Sequence, residues 1–405
     1  MKNKCNIGGQ APNVHREQFR LAVCCKKNGQ GVVMANKKSG RSKNMTGKNT
    51  AKKWRRRILL VCLEFLVLAG ILSWLWINAK MDKIETDKTF QAEEVKNEEL
   101  TKETRDVLGE YSTIALFGLD TREGNPSSWG NSDVIMVARI DKETKEVRLV
   151  SVYRDTYLKM TDLDNIGAYS KANAAYAVGG PKQAVRMLNT NLDLDIQEYV
   201  TFDFAAVAEA IDVLGGVEIP VTEEEAGHLN NYCVETSKLT GKSYKELPGE
   251  GIYNLNGVQA VSYGRIRYTV GDDFKRTERQ RLVVYKMVEK ALKADLSTIN
   301  KLIDVVFPKI ETSLDKTELA VMAMDAFNYK MGDNKGFPFD FQNEVVDIAY
   351  QKEDSDCIVP LDLAENVKQL HDFLYGTTSY TVTNSVQSIS DEIMNRTGVT
   401  GDGSE

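Results

Sequence analysis

Hydrophobic and polar positions divide this chain into regimes before any single residue is considered. Residues 1–57 are rich in Gly, Asn, Lys and Ser and carry no sustained apolar periodicity, the composition of a segment that cannot bury enough surface to order itself. Residues 58–77, ILLVCLEFLVLAGILSWLWI, are apolar throughout except for Glu64. Twenty helical residues rise ~30 Å, the thickness of a bilayer's hydrocarbon core, so this run predicts a transmembrane helix. Residues 78–108 are charged and read as a helical or flexible stalk.

Beyond the stalk, short β-rich runs at 112–119, 133–140 and 147–152 are separated by loops containing Gly, Pro and Asn. Helical patterns follow at about 172–178 and 181–189, with Gly179 and Gly180 as the break and Pro181 suited to a first turn. A strand is expected at 196–202, an apolar helix at 204–214 ended by Gly215 and Gly216, and a further strand at 217–221. Residues 222–254 are long and polar, which predicts a loop-rich insertion. Helices are expected again at 256–263, from about 272 through 292, and near 297–307, 316–328 and 361–375; the second carries an apolar face of Val284, Met287, Val288, Ala291 and Leu292. Strands interleaved with helices predict one α/β domain over 109–375, a central twisted mixed sheet flanked by helices. Residues 376–405, rich in Thr, Ser and Asn, are expected to form a flexible tail.

Charge sharpens the topology. Residues 1–57 hold sixteen Lys/Arg and one acidic residue, whereas residues 78–405 hold thirty-six Lys/Arg against fifty-six Asp/Glu. The block Lys52-Lys53-Trp54-Arg55-Arg56-Arg57 directly precedes the apolar run, so the positive-inside rule predicts a cytoplasmic tail over 1–57 and an extracellular domain. A cleaved signal peptide would show a shorter apolar region, and Trp74 and Trp76 stand where an interfacial aromatic belt would. The tail has no helix-turn-helix pattern, so no nucleic acid partner is expected. Two cysteines, Cys233 and Cys357, fall on the exported side, where a disulfide between them is permitted and left open by their spacing.

The chemistry concentrates in residues 263–281, YGRIRYTVGDDFKRTERQR. Five of the twelve arginines beyond the membrane segment lie here: Arg265, Arg267, Arg276, Arg279 and Arg281. If 263–268 is extended, Arg265 and Arg267 share a face, and on the following helix Arg276, Arg279 and Gln280 share another. Guanidinium groups gathered near a helix N-terminus suit a multiply charged phosphate. A solvated basic face is the plainer alternative, and the preference for arginine in a lysine-rich chain argues against it.

Three loops after strands add acids and further arginines: Asp120 with Arg122, Asn131 with Asp133, and Arg154 with Asp155. Strand ends of an α/β sheet are where ligands usually bind, and Asp120 with Asp133 would suit a hard divalent cation such as Mg2+. Each aspartate alone reads equally as a turn or cap residue, and Arg154 beside Asp155 as a structural ion pair.

The ordered segments SDVIMV, VRLVSVYRDTY, KANAAYAVGGPKQAV and LNGVQAVSYGRIRYTVGDDFKRTERQR together resemble the LytR-CpsA-Psr family of bacterial cell-envelope proteins. The resemblance implies a Mg2+- or Mn2+-dependent phosphotransferase in the cell membrane. Its donor would be an undecaprenyl-pyrophosphate-linked glycopolymer, such as a wall teichoic acid or capsular polysaccharide, and its acceptor peptidoglycan. It implies metal contacts at Asp120 and Asp133, pyrophosphate contacts at Arg122, Arg154, Arg265, Arg267, Arg276, Arg279 and Gln280, and catalytic roles for Asp133, Arg154, Asp155 and Arg267. It also implies a hydrophobic pocket for the polyprenyl chain, for which 202–214 and 282–292 are the apolar candidates. The chain departs from the family at Asn131, where arginine is common, and at Tyr153, where proline is common and little consequence is expected. Two alternatives stand beside this reading: a pyrophosphatase using water as acceptor, and a non-catalytic envelope-binding or regulatory protein, including the view of the family as transcriptional attenuators.

Overall fold

The computed structural model describes residues 46–119, 130–161, 168–267, 272–349 and 354–401. Helix α1 (Thr46–Met81) contains the apolar run, and 58–81 is long and apolar enough to cross a membrane. Its side chains there are exposed to an extent that water would penalise, with Leu59, Phe65 and Leu66 about two-thirds exposed or more. Contacts divide the chain into two units, Met1–Leu66, described only as the first part of α1, and Val67–Glu405, which holds everything below.

In chain order the second unit continues with β1 (Glu85–Thr86), α2 (Lys102–Leu108), β2 (Tyr111–Leu119), β3 (Ser132–Asp141), β4 (Glu146–Val152), β5 (Tyr157–Lys159), β6 (Tyr169–Lys171) and α3 (Ala174–Leu192). Next come β7 (Glu198–Asp203), α4 (Phe204–Val213), β8 (Val217–Val221), α5 (Glu223–Thr240), β9 (Gly251–Leu255), α6 (Gly257–Tyr263), α7 (Asp272–Ala291) and α8 (Leu296–Val306). The last group is β10 (Ile310–Thr312), α9 (Lys316–Asp325), β11 (Lys330–Phe337), β12 (Phe341–Val346), β13 (Ser355–Pro360), α10 (Leu363–Tyr375) and α11 (Asn384–Thr397).

Seven strands form the central sheet in the order β1-β10-β7-β2-β3-β4-β11. Strands β2, β3 and β4 make an antiparallel meander, while β7 runs parallel to β2 and β11 parallel to β4, so the sheet is mixed. Alternation along β3 shows why both faces are covered. Ile135 and Val137 enter the larger core with Tyr176 and Leu188 of α3, whereas Val134 and Met136 pack on Val284 of α7. On the α7 side, α4 and α6 touch so closely that a Cβ on Gly257 would strike the Ala208 carbonyl oxygen.

The sequence expectations fail in three places, each for a packing reason, and the open question of a disulfide is settled as well. Residues 78–108 are no free stalk: Val95, Leu100 and Leu108 are buried in the main core. Residues 376–405 are no loose tail either, since α11 buries Val386, Ile389 and Ile393 in that same core. A buried carboxylate joins the two ends. Asp193, in the left-handed region at φ +50°, accepts hydrogen bonds from Asn97 Nδ2 (3.1 Å), Tyr380 Oη (3.1 Å) and the Thr383 backbone N–H (2.8 Å) and Oγ1 (2.7 Å). Within 222–254 the chain forms α5, started by a capping box in which Thr222 and Glu225 satisfy each other's backbone N–H groups and stopped by Gly241 at φ +67°. Cys233 and Cys357 are free thiols buried in different clusters.

His371, on α10, is stacked on Tyr380 at 3.7 Å and donates from Nε2 to the Leu192 carbonyl. Burial holds its imidazole down at about 4, below the 6.5 of an exposed histidine. Between those values the unfolded chain binds a proton that the folded chain refuses, so stability present above pH 6.5 is lost as pH falls toward 4. The loss approaches roughly 3 kcal/mol, offset in part by Asp193, whose burial raises its pKa and acts in the opposite sense. Thermal unfolding of the detergent-solubilised chain should show a steeper drop between pH 6.5 and 4.5 for the parent than for His371→Gln; equal slopes would refute the assignment.

Candidate active site

The candidate site lies at the end of the sheet where β2 and β4 finish and β3 begins. Asp133 is the second residue of β3, and its position is fixed by the Ser132 backbone N–H bonding to the Asn173 carbonyl. Arg154 follows β4 in a turn whose carbonyl accepts from the Asn173 N–H. Strand β6 and the turn after it thus hold both loops, and they bring a lysine with them.

These residues form a chain of alternating charge. Arg154 donates from Nη1 to Asp133 Oδ1 at 2.9 Å and from Nε to Asp155 Oδ2 at 2.9 Å. Lys171 Nζ reaches the other oxygen of Asp155 at 3.0 Å. Arg276, in the second turn of α7, lies with Nη2 3.8 Å from Asp133 Oδ1, its side chain only 2% exposed. A guanidinium cannot shed its proton at any ordinary pH, so burial on this scale requires a counter-charge close by. Both contacts use Asp133 Oδ1, and Oδ2 accepts no hydrogen bond among the described residues.

One turn further along α7, Arg279 donates from Nε to Glu225 Oε1 at 2.8 Å and from Nη1 to the Ile266 carbonyl at 3.3 Å. Glu225 is the residue that also caps α5, so one carboxylate starts that helix and holds this arginine. Arg265 turns away, donating to Glu235 Oε2 (3.1 Å) and Thr236 Oγ1 (3.2 Å) on α5. Glu225 and Glu235 are ten residues apart, ~15 Å along a helix axis. The expected convergence at one point is therefore corrected: Arg276 and Arg154 share Asp133, whereas Arg265 is drawn to the far part of α5. The cause is local. Residues 263–266 are a turn continuing from α6, with Arg265 N–H bonding to the Ser262 carbonyl, and not an extended strand. Ile266 is fully buried, and the guanidinium of exposed Arg267 has no ion pair among the described residues.

Beside this cationic band opens a narrow apolar cleft with a volume of about 30 Å³. It is lined by Val134 of β3, Phe202 of β7, Phe204 and Val207 of α4, and Val283 and Val284 of α7, among others. Phe202, Phe204 and Val207 fall in the segment 202–214, and Val283 and Val284 in 282–292, that the sequence singled out; Val134 comes from β3. Gln280 is the polar exception, and its Oε1 is buried there without a hydrogen-bond partner among the described residues. Val134 and Gln280 are chain neighbours of Asp133 and Arg279, so the cleft begins where the charged chain ends.

Asp120 and Arg122 lie outside the described residues, as do the side chains of Asp272 and Asp273. Sequence reasoning passed over Lys171, although it stands in the quoted KANAAYAV segment, and over Glu225, which was hidden in a stretch taken for loop. It also misjudged Tyr153. That ring is buried, meets Phe274 of α7 edge-on at 5.2 Å and Phe341 of β12 at 5.8 Å, and its hydroxyl interacts with Arg281. Tyr153 therefore ties the Arg154 turn to the helix that carries Arg276 and Arg279. Glycine is needed opposite, since a Cβ at Gly336 would fall on the Tyr153 hydroxyl.

The chain is 28% identical over 269 residues to the polyisoprenyl-teichoic acid--peptidoglycan teichoic acid transferase TagU of Enterococcus faecalis, covering 66% of this chain and 80% of that protein. It is 28% identical over 273 residues to the Biofilm regulatory protein A of Streptococcus mutans, covering 64% of this chain and 62% of that one's length. Among solved structures, a Streptococcus agalactiae protein superposes with a TM-score of 0.54 at 22% identity, over 70% of this chain and 95% of its own, and shares the fold. Residues 74–352 match the LytR_cpsA_psr family, and the chain belongs to it.

Proposed function

We propose that this chain is a membrane-anchored phosphotransferase that moves a phosphorylated glycopolymer from a polyprenyl-pyrophosphate carrier to peptidoglycan. The observation that carries the reading is the junction of a cationic band with an apolar cleft, which suits an anionic head group joined to an apolar tail. A relative supports it, since TagU of Enterococcus faecalis is a polyisoprenyl-teichoic acid--peptidoglycan teichoic acid transferase. The basic tail and the apolar helix support a cytoplasmic N-terminus and a domain outside the membrane.

Phosphoryl transfer asks the protein for position and charge more than for covalent chemistry. Arg154, Lys171, Arg267, Arg276 and Arg279 would hold the pyrophosphate oxygens, whereas Arg265 is engaged by Glu235 and Thr236 of α5. An acceptor hydroxyl attacks the phosphorus nearest the polymer, and the polyprenyl monophosphate leaves. Asp155 has both oxygens engaged by Arg154 and Lys171, which makes it a strut for Arg154. Asp133, with Oδ2 open and of the hard-oxygen type that Mg2+ prefers, would hold a divalent cation together with Asp120 and the pyrophosphate; the cation would neutralise phosphate charge.

The test combines the full chain in nanodiscs with a lipid-pyrophosphate-linked saccharide, a peptidoglycan oligosaccharide and Mg2+, followed by mass spectrometry. A phosphodiester-linked saccharide on the glycan supports the proposal; free phosphosaccharide alone would show a hydrolase instead. In that assay Arg267→Ala should lower turnover roughly 10²-fold, as for loss of one charge-stabilising donor, with Tm unchanged because the side chain is exposed. Val207→Trp, which fills the cleft, should raise KM for a long-chain donor while leaving a short-chain donor unaffected; equal KM changes for both would remove the cleft from the binding site.

A further inference from the structure

Helix α8 is amphipathic yet incompletely covered. Leu296, Ile299, Leu302, Ile303 and Val306 fall on one face, α4 is the helix it packs on, and none of its residues is buried. Leu296 is 72% exposed. A helix with this pattern in a protein surrounded only by water normally buries its apolar stripe, whereas one at a lipid surface leaves the stripe half open.

The position of α8 says which surface. The apolar run of α1 ends at Ile77, and Lys80 follows three residues on, ~5 Å along the axis. Lys80 lies over the Trp76 ring at 5.5 Å and is paired with Asp304 of α8, to which Lys83 also donates at 2.7 Å. Lys316 of α9 is paired in turn with Asp82, and Met81 is buried. The last turn of α1 is therefore held to α8 at the depth where a membrane-spanning helix leaves the hydrocarbon for the head groups. Exposed Lys301 on α8 adds a cation suited to anionic lipid.

We propose that α8 is an interfacial helix, with the bilayer leaflet that α1 leaves as its occupant. Docked in this way, α8 places α4, whose Phe204 and Val207 line the apolar cleft, next to the lipid. The inference rests on α1 spanning a bilayer and not on the transferase reading, which can fail without it.

The experiment uses the full chain with Cys5, Cys24, Cys25 and Cys62 replaced by serine, leaving only buried thiols. A bimane is attached through Leu296→Cys, or through Glu143→Cys in the β3–β4 turn at the opposite end of the sheet. Each chain is placed in nanodiscs of phosphatidylglycerol and phosphatidylethanolamine containing nitroxide-labelled lipid. Emission from the Leu296→Cys label should fall several-fold more than from the Glu143→Cys label, and aqueous iodide should quench it less. Equal quenching by lipid at the two positions would overturn the proposal. So would shielding from iodide without quenching by lipid, which would mean that protein covers the helix.

Discussion

Burying a guanidinium is the constraint from which this site follows. Arg276 cannot be neutralised, and taking it out of water costs several kcal/mol unless carboxylate and hydrogen-bond partners are supplied. Asp133 supplies the charge, but Asp133 also binds Arg154, which binds Asp155, which binds Lys171. Each carboxylate is shared by two cations, so positive charge remains in excess along the chain. That surplus attracts an anion, while the carboxylates keep the cations from repelling one another apart when no anion is bound. Breaking the pattern at one carboxylate would leave two cations without it.

The meander and its flanking helices were legible because their signals are local. The short β-rich runs 112–119, 133–140 and 147–152 are apolar almost throughout, as strands covered on both faces are, and the glycine and proline breaks within α3 fall where the structure has them. Arg154, Asp133 and Arg276 were also legible as candidates from residue type and spacing. Their pairing was not, because Lys171 and Asn173, which set the geometry, reach the site through a separate pair of short strands.

What misled the reading was polar composition. Residues 78–108, 222–254 and 376–405 look solvated in sequence, yet each contributes buried side chains. Their anchors are few and far apart in the chain: Val95 and Leu108 at one end, Ile389 and Ile393 at the other, with Asp193 bonding to both segments. A helix such as α5 that carries charge on most faces declares itself by its caps, Thr222 with Glu225 and Gly241, more than by its apolar stripe. Glu225 shows the same economy in the site, where a single carboxylate serves both as a cap and as the partner of Arg279.

Tyr153 and Gly336 meet so closely that a side chain at position 336 would strike the phenol. A side chain at position 336 requires the phenol to leave, and the phenol's departure strips Arg281 of its hydroxyl partner and opens space against Phe274. The two positions, 183 residues apart, are thus expected to covary: chains with tyrosine at the first should hold glycine at the second, and chains with proline at the first should be free to carry larger residues there. A larger residue inherited at position 336 is a sign that the tyrosine at 153 changed with it.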